Sequence, residues 1–276
     1  MAITAADVNK LRKQTGAGMM DCKNALVETD GDFESAVDVL RKKGQKVAAK
    51  RGDNETKEGL IYAQATDTGN SGVVLALSCE TDFVAKNADF QAFVQSLVDV
   101  AMANMPASTD ELMGLAYNEK LSVSEKITEQ VGVVGEMLVI SGYETMNADS
   151  VVAYNHPGNQ LATLVGLNSG SDAAVDAGKQ VAMQVAAMNP LALNKDGIDQ
   201  ATIDREIEVG KDLAIQEGKP AEMADKIAMG RLNKFFKENT LLSQPFVRDN
   251  KVTVEQFLSG TESDLTVVDF KRVSLG

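Results

Sequence analysis

The sequence predicts an α+β fold, and three patterns in the chain of 276 residues support this. Residues 1–51 carry short helical stripes of apolar side chains. Residues 60–79 and 151–167 alternate apolar and polar side chains with the period of a strand, and each of these segments precedes a helical pattern. Residues 199–238 have the spacing of two paired helices. We therefore expect a helical bundle, a core with antiparallel strands, and a protruding hairpin.

The first 51 residues are predicted to form a bundle of three short helices. Thr4 with Asp7 three positions later is typical of a capped helix start, and the glycines at Gly16–Gly18 interrupt the pattern. Gly44 is a plausible end for the third helix because glycine is favoured just after helices. The charged segment 48–58 is then predicted to be a linker or a frayed helix end.

The middle of the chain is predicted to hold two copies of one α+β unit, residues 52–150 and 151–276. In both copies two strands precede a helix that stops before a proline, Pro106 or Pro190. The predicted elements are strands Leu60–Thr66, Val73–Cys79 and Met137–Ile140 with helix Phe90–Ala101, then strands Val151–Tyr154 and Leu161–Leu167 with helix Val175–Met188.

The hairpin at about 199–238 is predicted to be a thin antiparallel coiled coil inserted in the second copy. Gly218 and Pro220 mark its tip, and its outer faces are expected to be charged. A last strand is expected at Thr266–Phe270. The residues predicted to line its seam are Ile203, Ile207, Gly210, Ala214, Ala224, Ala228, Arg231 and Phe235.

Charge and composition narrow the classes of function. The net charge of −13 disfavours non-specific binding to nucleic acid, although residues 1–51 alone hold ten Lys/Arg against seven Asp/Glu. No apolar run is long enough to span a bilayer, and Met1–Lys13 lacks the apolar segment of a signal peptide. We expect a cytoplasmic protein in which Cys22 and Cys79 are buried thiols.

Enzyme motifs are nearly absent from the sequence. His156 is the sole histidine and lies in a His-Pro-Gly turn, so neither a catalytic triad nor a metal ligand set is visible. The triplet Asp67-Thr68-Gly69 matches aspartic proteases, but it lies in a polar hairpin turn, where Asp and Gly are ordinary turn residues. We expect no enzymatic activity, no cofactor, no metal and no small-molecule substrate.

The segment between the second strand and the next helix places an acid beside a large ring. Asp82 and Phe83 either serve a partner contact, since connecting loops often carry function, or belong to the fold. In the second interpretation Phe83 enters the core and Asp82 caps a turn.

Two segments resemble the elongation factor Ts family. Leu11–Leu26, LRKQTGAGMMDCKNAL, is similar to its first signature, and Thr81–Asn87, TDFVAKN, is similar to its second. Gln244–Val247, QPFV, is a third and shorter match. The resemblance implies an N-terminal ubiquitin-associated-like bundle, a duplicated α+β core and a coiled-coil hairpin. Some members also carry a C-terminal helical segment, which we expect to be missing after Val273.

The resemblance also implies a function, a partner and contact residues. It implies a guanine nucleotide exchange factor that makes the GTPase elongation factor Tu release GDP during translation elongation, with no direct contact to nucleic acid or membrane. The alternative is a ubiquitin-associated-like adaptor for another protein. The implied contacts are Thr81, Asp82, Phe83, Val84, Ala85, Lys86 and Asn87 near the GTPase's Mg²⁺ and switch elements, Met19, Met20 and Lys23 in the bundle, and Tyr154 and His156 in the second copy.

Overall fold

The computed structural model describes residues 3–275, apart from the side chain of Ala221. Met1, Ala2 and Gly276, which the predicted domain boundaries include, lie outside this range. The described chain mixes helices with antiparallel sheets, which confirms the predicted α+β class. The helices are α1 (Ala5–Thr15), α2 (Met19–Glu28), α3 (Phe33–Arg51), α4 (Asp82–Ala85), α5 (Ala88–Asn104), α6 (Thr109–Gly114), α7 (Val123–Val134), α8 (Asp172–Met188), α9 (Gln200–Gln216), α10 (Ala221–Asn239) and α11 (Val254–Thr261).

Within residues 3–275 the strands form two three-stranded antiparallel sheets and one short two-stranded sheet. The first sheet has the order β1-β2-β3, the second β4-β5-β8, and the third pairs β6 with β7. Short 3-10 turns lie at Lys195–Gly197 and Leu241–Ser243. The strands are β1 (Glu58–Ala65), β2 (Ser71–Cys79), β3 (Val139–Asn147), β4 (Ser150–Asn155), β5 (Leu161–Leu167), β6 (Pro245–Phe246), β7 (Asp249–Thr253) and β8 (Val267–Ser274).

The two larger sheets pack face to face between two helices. Because side chains alternate along a strand, Val73 and Leu75 of β2 enter a core with α5, whereas Val74 and Ala76 face the second sheet. On the far side, Val165 and neighbouring residues pack against α8. This explains why the central strand β2 is buried along nearly its whole length.

The order strand, strand, helix occurs twice, as the sequence predicts, and in both copies further elements separate that helix from the third strand of the sheet. The central strand of each sheet carries a register shift, after Ala76 in β2 and after Gly166 in β5. Helix α5 begins eleven positions after Leu77, whereas α8 begins five positions after Leu167. The extra six residues in the first copy contain the turn α4.

The helix α3 departs from the sequence prediction. It continues through Gly44, which the sequence suggested as its end, and reaches Arg51, so that the first residues of the segment 48–58 are the end of a helix. Gly44 lies against α7, where an added Cβ at Gly132 would come within 2.8 Å of the Gly44 Cα atom. The two glycines therefore permit a close helix crossing that joins the N-terminal helices to the first core copy. The glycine at position 44 serves tertiary packing and does not end the helix.

The helical hairpin α9–α10 has the predicted position. Arg231 lies at the predicted seam, because its Cδ atom is 3.6 Å from the place of a Cβ at Gly210, and its guanidinium donates to the Glu217 carboxylate at the end of α9 at 2.7 Å. Leu232, which the prediction did not include, is buried as well. The outer surface is also less polar than expected, because it exposes the apolar side chains Val209, Leu213, Ile215, Met223 and Met229.

The C-terminal part contains a helix that the sequence analysis did not predict. Helix α11 begins at a capping box between Thr253 and Gln256 and buries Val254 and Leu258 in the second core. Its apolar positions are few because the helix has only eight residues. A pattern that short does not separate a helix from a strand.

Candidate functional site

The α4 turn presents one large apolar side chain to solvent. The Phe83 side chain is 82% exposed, the largest exposed fraction among the large apolar side chains of residues 3–275. Two neighbours face inward instead, since Ala85 is buried and Val84 packs against the first core. The interpretation that places Phe83 in the core is therefore wrong. An isolated exposed phenylalanine on a short, well-seated turn suits a protein contact.

Charged and polar residues complete the α4 turn. Lys86 donates to the Asp82 carboxylate at 2.6 Å, and this bond holds the pKa of Asp82 below its usual value and raises that of Lys86. Asn87 accepts from the Asp89 and Phe90 backbone N–H groups and so caps α5. Asp82 therefore pairs with Lys86, and the helix cap is provided by Asn87.

The base of the α4 turn is held by Glu136. Its carboxylate accepts the backbone N–H groups of Glu80 and Thr81 at 3.1 and 3.0 Å, and the Thr81 hydroxyl at 2.7 Å. The Thr81 carbonyl in turn accepts from the Cys79 thiol at 3.2 Å. Thr81 is therefore an internal anchor of the turn, although the sequence suggested it as a contact residue.

Glu80, just before the α4 turn, bonds to the end of α3, to the segment after it and to the segment before β3. Its carboxylate accepts from the Met137 backbone N–H, the Asn54 amide and the Arg51 guanidinium, all between 2.7 and 2.8 Å. Burial by itself opposes the charged form, but these hydrogen bonds outweigh it and lower the pKa of Glu80. We name Glu80 and Glu136 the crossed glutamates. Sequence reasoning missed both, because their partners lie 26 to 57 positions away in the chain.

Both predicted buried cysteines are buried free thiols. Burial, followed by the charge of Glu136, raises the pKa of Cys79 to about 12. Burial raises that of Cys22 as well. Neither thiol is thus a nucleophile near neutral pH, because the thiolate is the reactive form.

The α2 residues lie on a different part of the surface. Met19 and Met20 are 52% and 64% exposed, and Lys23 and Val27 continue the same exposed face. The opposite face of α2 buries Cys22 and Leu26 among α1 and α3. The exposed face is an apolar patch with a positive charge beside it, and flexible methionines suit such a contact surface.

Tyr154 and His156 lie near the turn that joins β4 and β5. The Tyr154 hydroxyl hydrogen-bonds to His156 Nδ1 at 3.0 Å, and His156 is exposed. The β4–β5 hairpin also covers the outer edge of β1. The Asn155 side chain bonds to both backbone groups of Ala63, and the Asn159 carbonyl accepts from the Ile61 N–H. Helix α4 contacts β1 as well. One strand thus carries two of the three predicted contact regions.

Asp67, of the protease-like triplet, is an exposed residue in the β1–β2 turn. Within residues 3–275, no group of three His, Cys, Asp or Glu side chains is arranged to hold a metal ion. Across the same range no helix is both long and apolar enough to cross a membrane.

A cavity of about 330 Å³ lies between the N-terminal helices and the segment before α7. Its lining includes Lys120 and Lys126, which form ion pairs with Glu34 and Glu129. These pairs neutralise much of the positive charge that an anionic ligand would need.

Comparison with known proteins agrees with the motifs in the sequence. Residues 80–276 match the family model described as Elongation factor TS. The chain is 51% identical to Elongation factor Ts of Christiangramia forsetii, with 99% of each chain covered. It is 52% identical to that of Amoebophilus asiaticus over the full length of both chains, and 49% identical to that of Cytophaga hutchinsonii over 99% of each. The chain therefore belongs to the elongation factor Ts family.

Proposed function

We propose that this protein is a guanine nucleotide exchange factor that binds elongation factor Tu and promotes GDP release during translation elongation. The exposure of Phe83 on the anchored α4 turn carries the proposal. An 82% exposed ring contributes little to the fold, and it is available for burial in a partner. The position of Asp82 next to it places a carboxylate on the same turn.

The proposed mechanism is mutual weakening of two binding events. A nucleotide held with nanomolar affinity has a binding free energy of about 12 kcal/mol. Burying a phenylalanine contributes about 1.5–3 kcal/mol, so Phe83 offsets only part of that binding. The GTPase holds GDP through phosphate contacts and Mg²⁺. A contact made only when this site is distorted weakens GDP binding, and GDP weakens the contact by the same factor.

Two further surfaces are proposed to add affinity. We assign Met19, Met20 and Lys23 of α2 to a contact with the GTPase domain, and Tyr154 and His156 to a contact with its distal β-domain. The support is the exposure of Met19, Met20, Lys23 and His156, and for the second pair also its placement beside β1, the strand that α4 contacts. Tethered contacts raise each other's effective concentration. No bond is made or broken in this chain, so it needs no cofactor.

We also propose a division of the chain into three parts. Residues 1–51 form a ubiquitin-associated-like docking module, 52–150 the subdomain that carries α4, and 151–276 the second subdomain with its coiled-coil hairpin. The close crossing of α3 on α7 argues that the first module is seated on the core and is not loosely tethered.

The adaptor alternative has one observation in its favour, the exposed methionines on α2. A release experiment separates the two functions. Elongation factor Tu loaded with fluorescent GDP is mixed with excess unlabelled GDP and a catalytic amount of this protein. Release should accelerate in proportion to the amount added. Binding through α2 without faster release would instead identify an adaptor.

A further inference from the structure

We propose that Glu136 is a positioning residue for exchange, because its carboxylate fixes the angle at which the α4 turn presents Phe83. The inference rests on the proposed function and adds to it a residue outside the signature segments. Glu136 touches neither Phe83 nor Asp82 in its hydrogen bonds; it acts through Glu80 and Thr81.

The hydrogen bonds at Thr81 determine how firmly α4 is held. Glu136 accepts from both the N–H and the hydroxyl of Thr81. The Thr81 carbonyl accepts from Cys79 and from the N–H of Ala85, inside the turn. Every polar group of Thr81 is thus bonded, and Phe83 follows two residues later. A turn of four residues has little stability of its own, so its orientation depends on this anchor.

The crossed glutamates connect α4 to the rest of the molecule in two ways. Glu136 follows Gly135, the left-handed residue that ends α7, so its position is set by the helix that packs on α3. Glu80 binds Arg51, the last residue of α3. The two glutamates therefore link the base of the α4 turn to α7 and to α3, the two helices that pack against each other.

The second copy supplies an internal comparison. Glu262 precedes β8 as Glu136 precedes β3, and its carboxylate accepts the hydroxyls of Ser169 and Ser171 in the loop after β5. A glutamate clamp on this loop is therefore a feature of the repeated unit. The clamps differ in that Glu136 also binds two backbone N–H groups. The two loops also differ in length, because only the first contains the six extra residues that include α4.

A substitution pair tests positioning against a purely structural role. Glu136→Ala removes the anchor. Glu136→Gln keeps the shape and one acceptor oxygen, which can still accept the Glu80 and Thr81 N–H groups, while its NH2 group can donate to the Thr81 hydroxyl. Glu262→Ala is the matched control, since it breaks the equivalent clamp on a loop without α4. We expect Glu136→Ala to slow catalysed GDP release at least tenfold, with Glu136→Gln recovering most of the rate and Glu262→Ala remaining within twofold of the parent.

A double-mutant cycle with Phe83→Ala gives the decisive measurement. If Glu136 acts through the presentation of Phe83, then Glu136→Ala should slow release less than twofold further in a Phe83→Ala background. Equal slowing by Glu136→Ala in both backgrounds overturns the proposal. A parent protein that does not accelerate release overturns the proposed function and with it this role. An accelerating parent with an equally fast Phe83→Ala variant overturns only the roles given to Phe83 and Glu136.

Hydrogen–deuterium exchange of the free protein tests the anchor without the GTPase. In Glu136→Ala, the amides of residues 82–87 should exchange at least tenfold faster, while those of β2 and α5 keep their protection. Loss of protection throughout the first copy would show that Glu136 only stabilises the fold, and unchanged exchange at 82–87 would show that it does not hold the turn. Either result overturns the positioning role.

Discussion

Replacing Phe83 with alanine separates a partner contact from a contribution to the fold. The ring is 82% exposed, so its removal leaves no cavity and should change the free energy of unfolding by less than about 0.5 kcal/mol. In the complex the same ring is expected to be buried, which is worth about 1.5–3 kcal/mol. Because each 1.4 kcal/mol is a factor of ten, catalysed GDP release should slow by about 10- to 140-fold.

The assay is stopped-flow release of fluorescent GDP from elongation factor Tu across a range of factor concentrations. Met223→Ala is the matched control, because Met223 is an apolar side chain of α10 that is 47% exposed and lies on the hairpin, away from α4. We expect its release rate to equal that of the parent. Thermal unfolding of both variants should coincide with that of the parent. A normal release rate for Phe83→Ala, or a large loss of thermal stability, refutes the reasoning.

Three further predictions concern the rest of the molecule. Gly132→Ala should cost about 1–3 kcal/mol in urea unfolding because its Cβ meets the α3 backbone, whereas Gly230→Ala, with open space around it, should be neutral or stabilising; equal effects contradict the crossing. On acidification, the stability difference between parent and Glu80→Gln should hold above the ordinary glutamate pKa of about 4.3 and shrink as the pH falls through the lowered folded-state pKa; a pH-independent difference argues against the Glu80 bonds. Replacing 202–236 with a short Gly/Ser turn should leave the core folded and release close to the parent rate, and a loss as large as that of Phe83→Ala makes the hairpin a primary contact.

The sequence by itself determined the class of the fold and most of its elements. Period-two patterns identified β1, β2, β4 and β5, and the helical pattern in 199–238 identified the hairpin, whereas the strand predicted at Met137–Ile140 overlaps only the start of β3. These patterns are local, because a strand or helix must bury one face whatever it packs against. The signature Thr81–Asn87 likewise located the candidate site, although not which of its side chains face solvent.

Only the tertiary structure decided what each residue of that signature does. Phe83 is exposed, Ala85 is buried and Thr81 is an anchor, and no spacing within seven residues distinguishes these roles. The same holds for Gly44, whose local preference for ending a helix is overridden by its contact with α7. Glu136 lies 55 positions from Thr81. Hydrogen bonds of this kind form only when distant segments meet in the fold, so a local pattern in one sequence does not predict them.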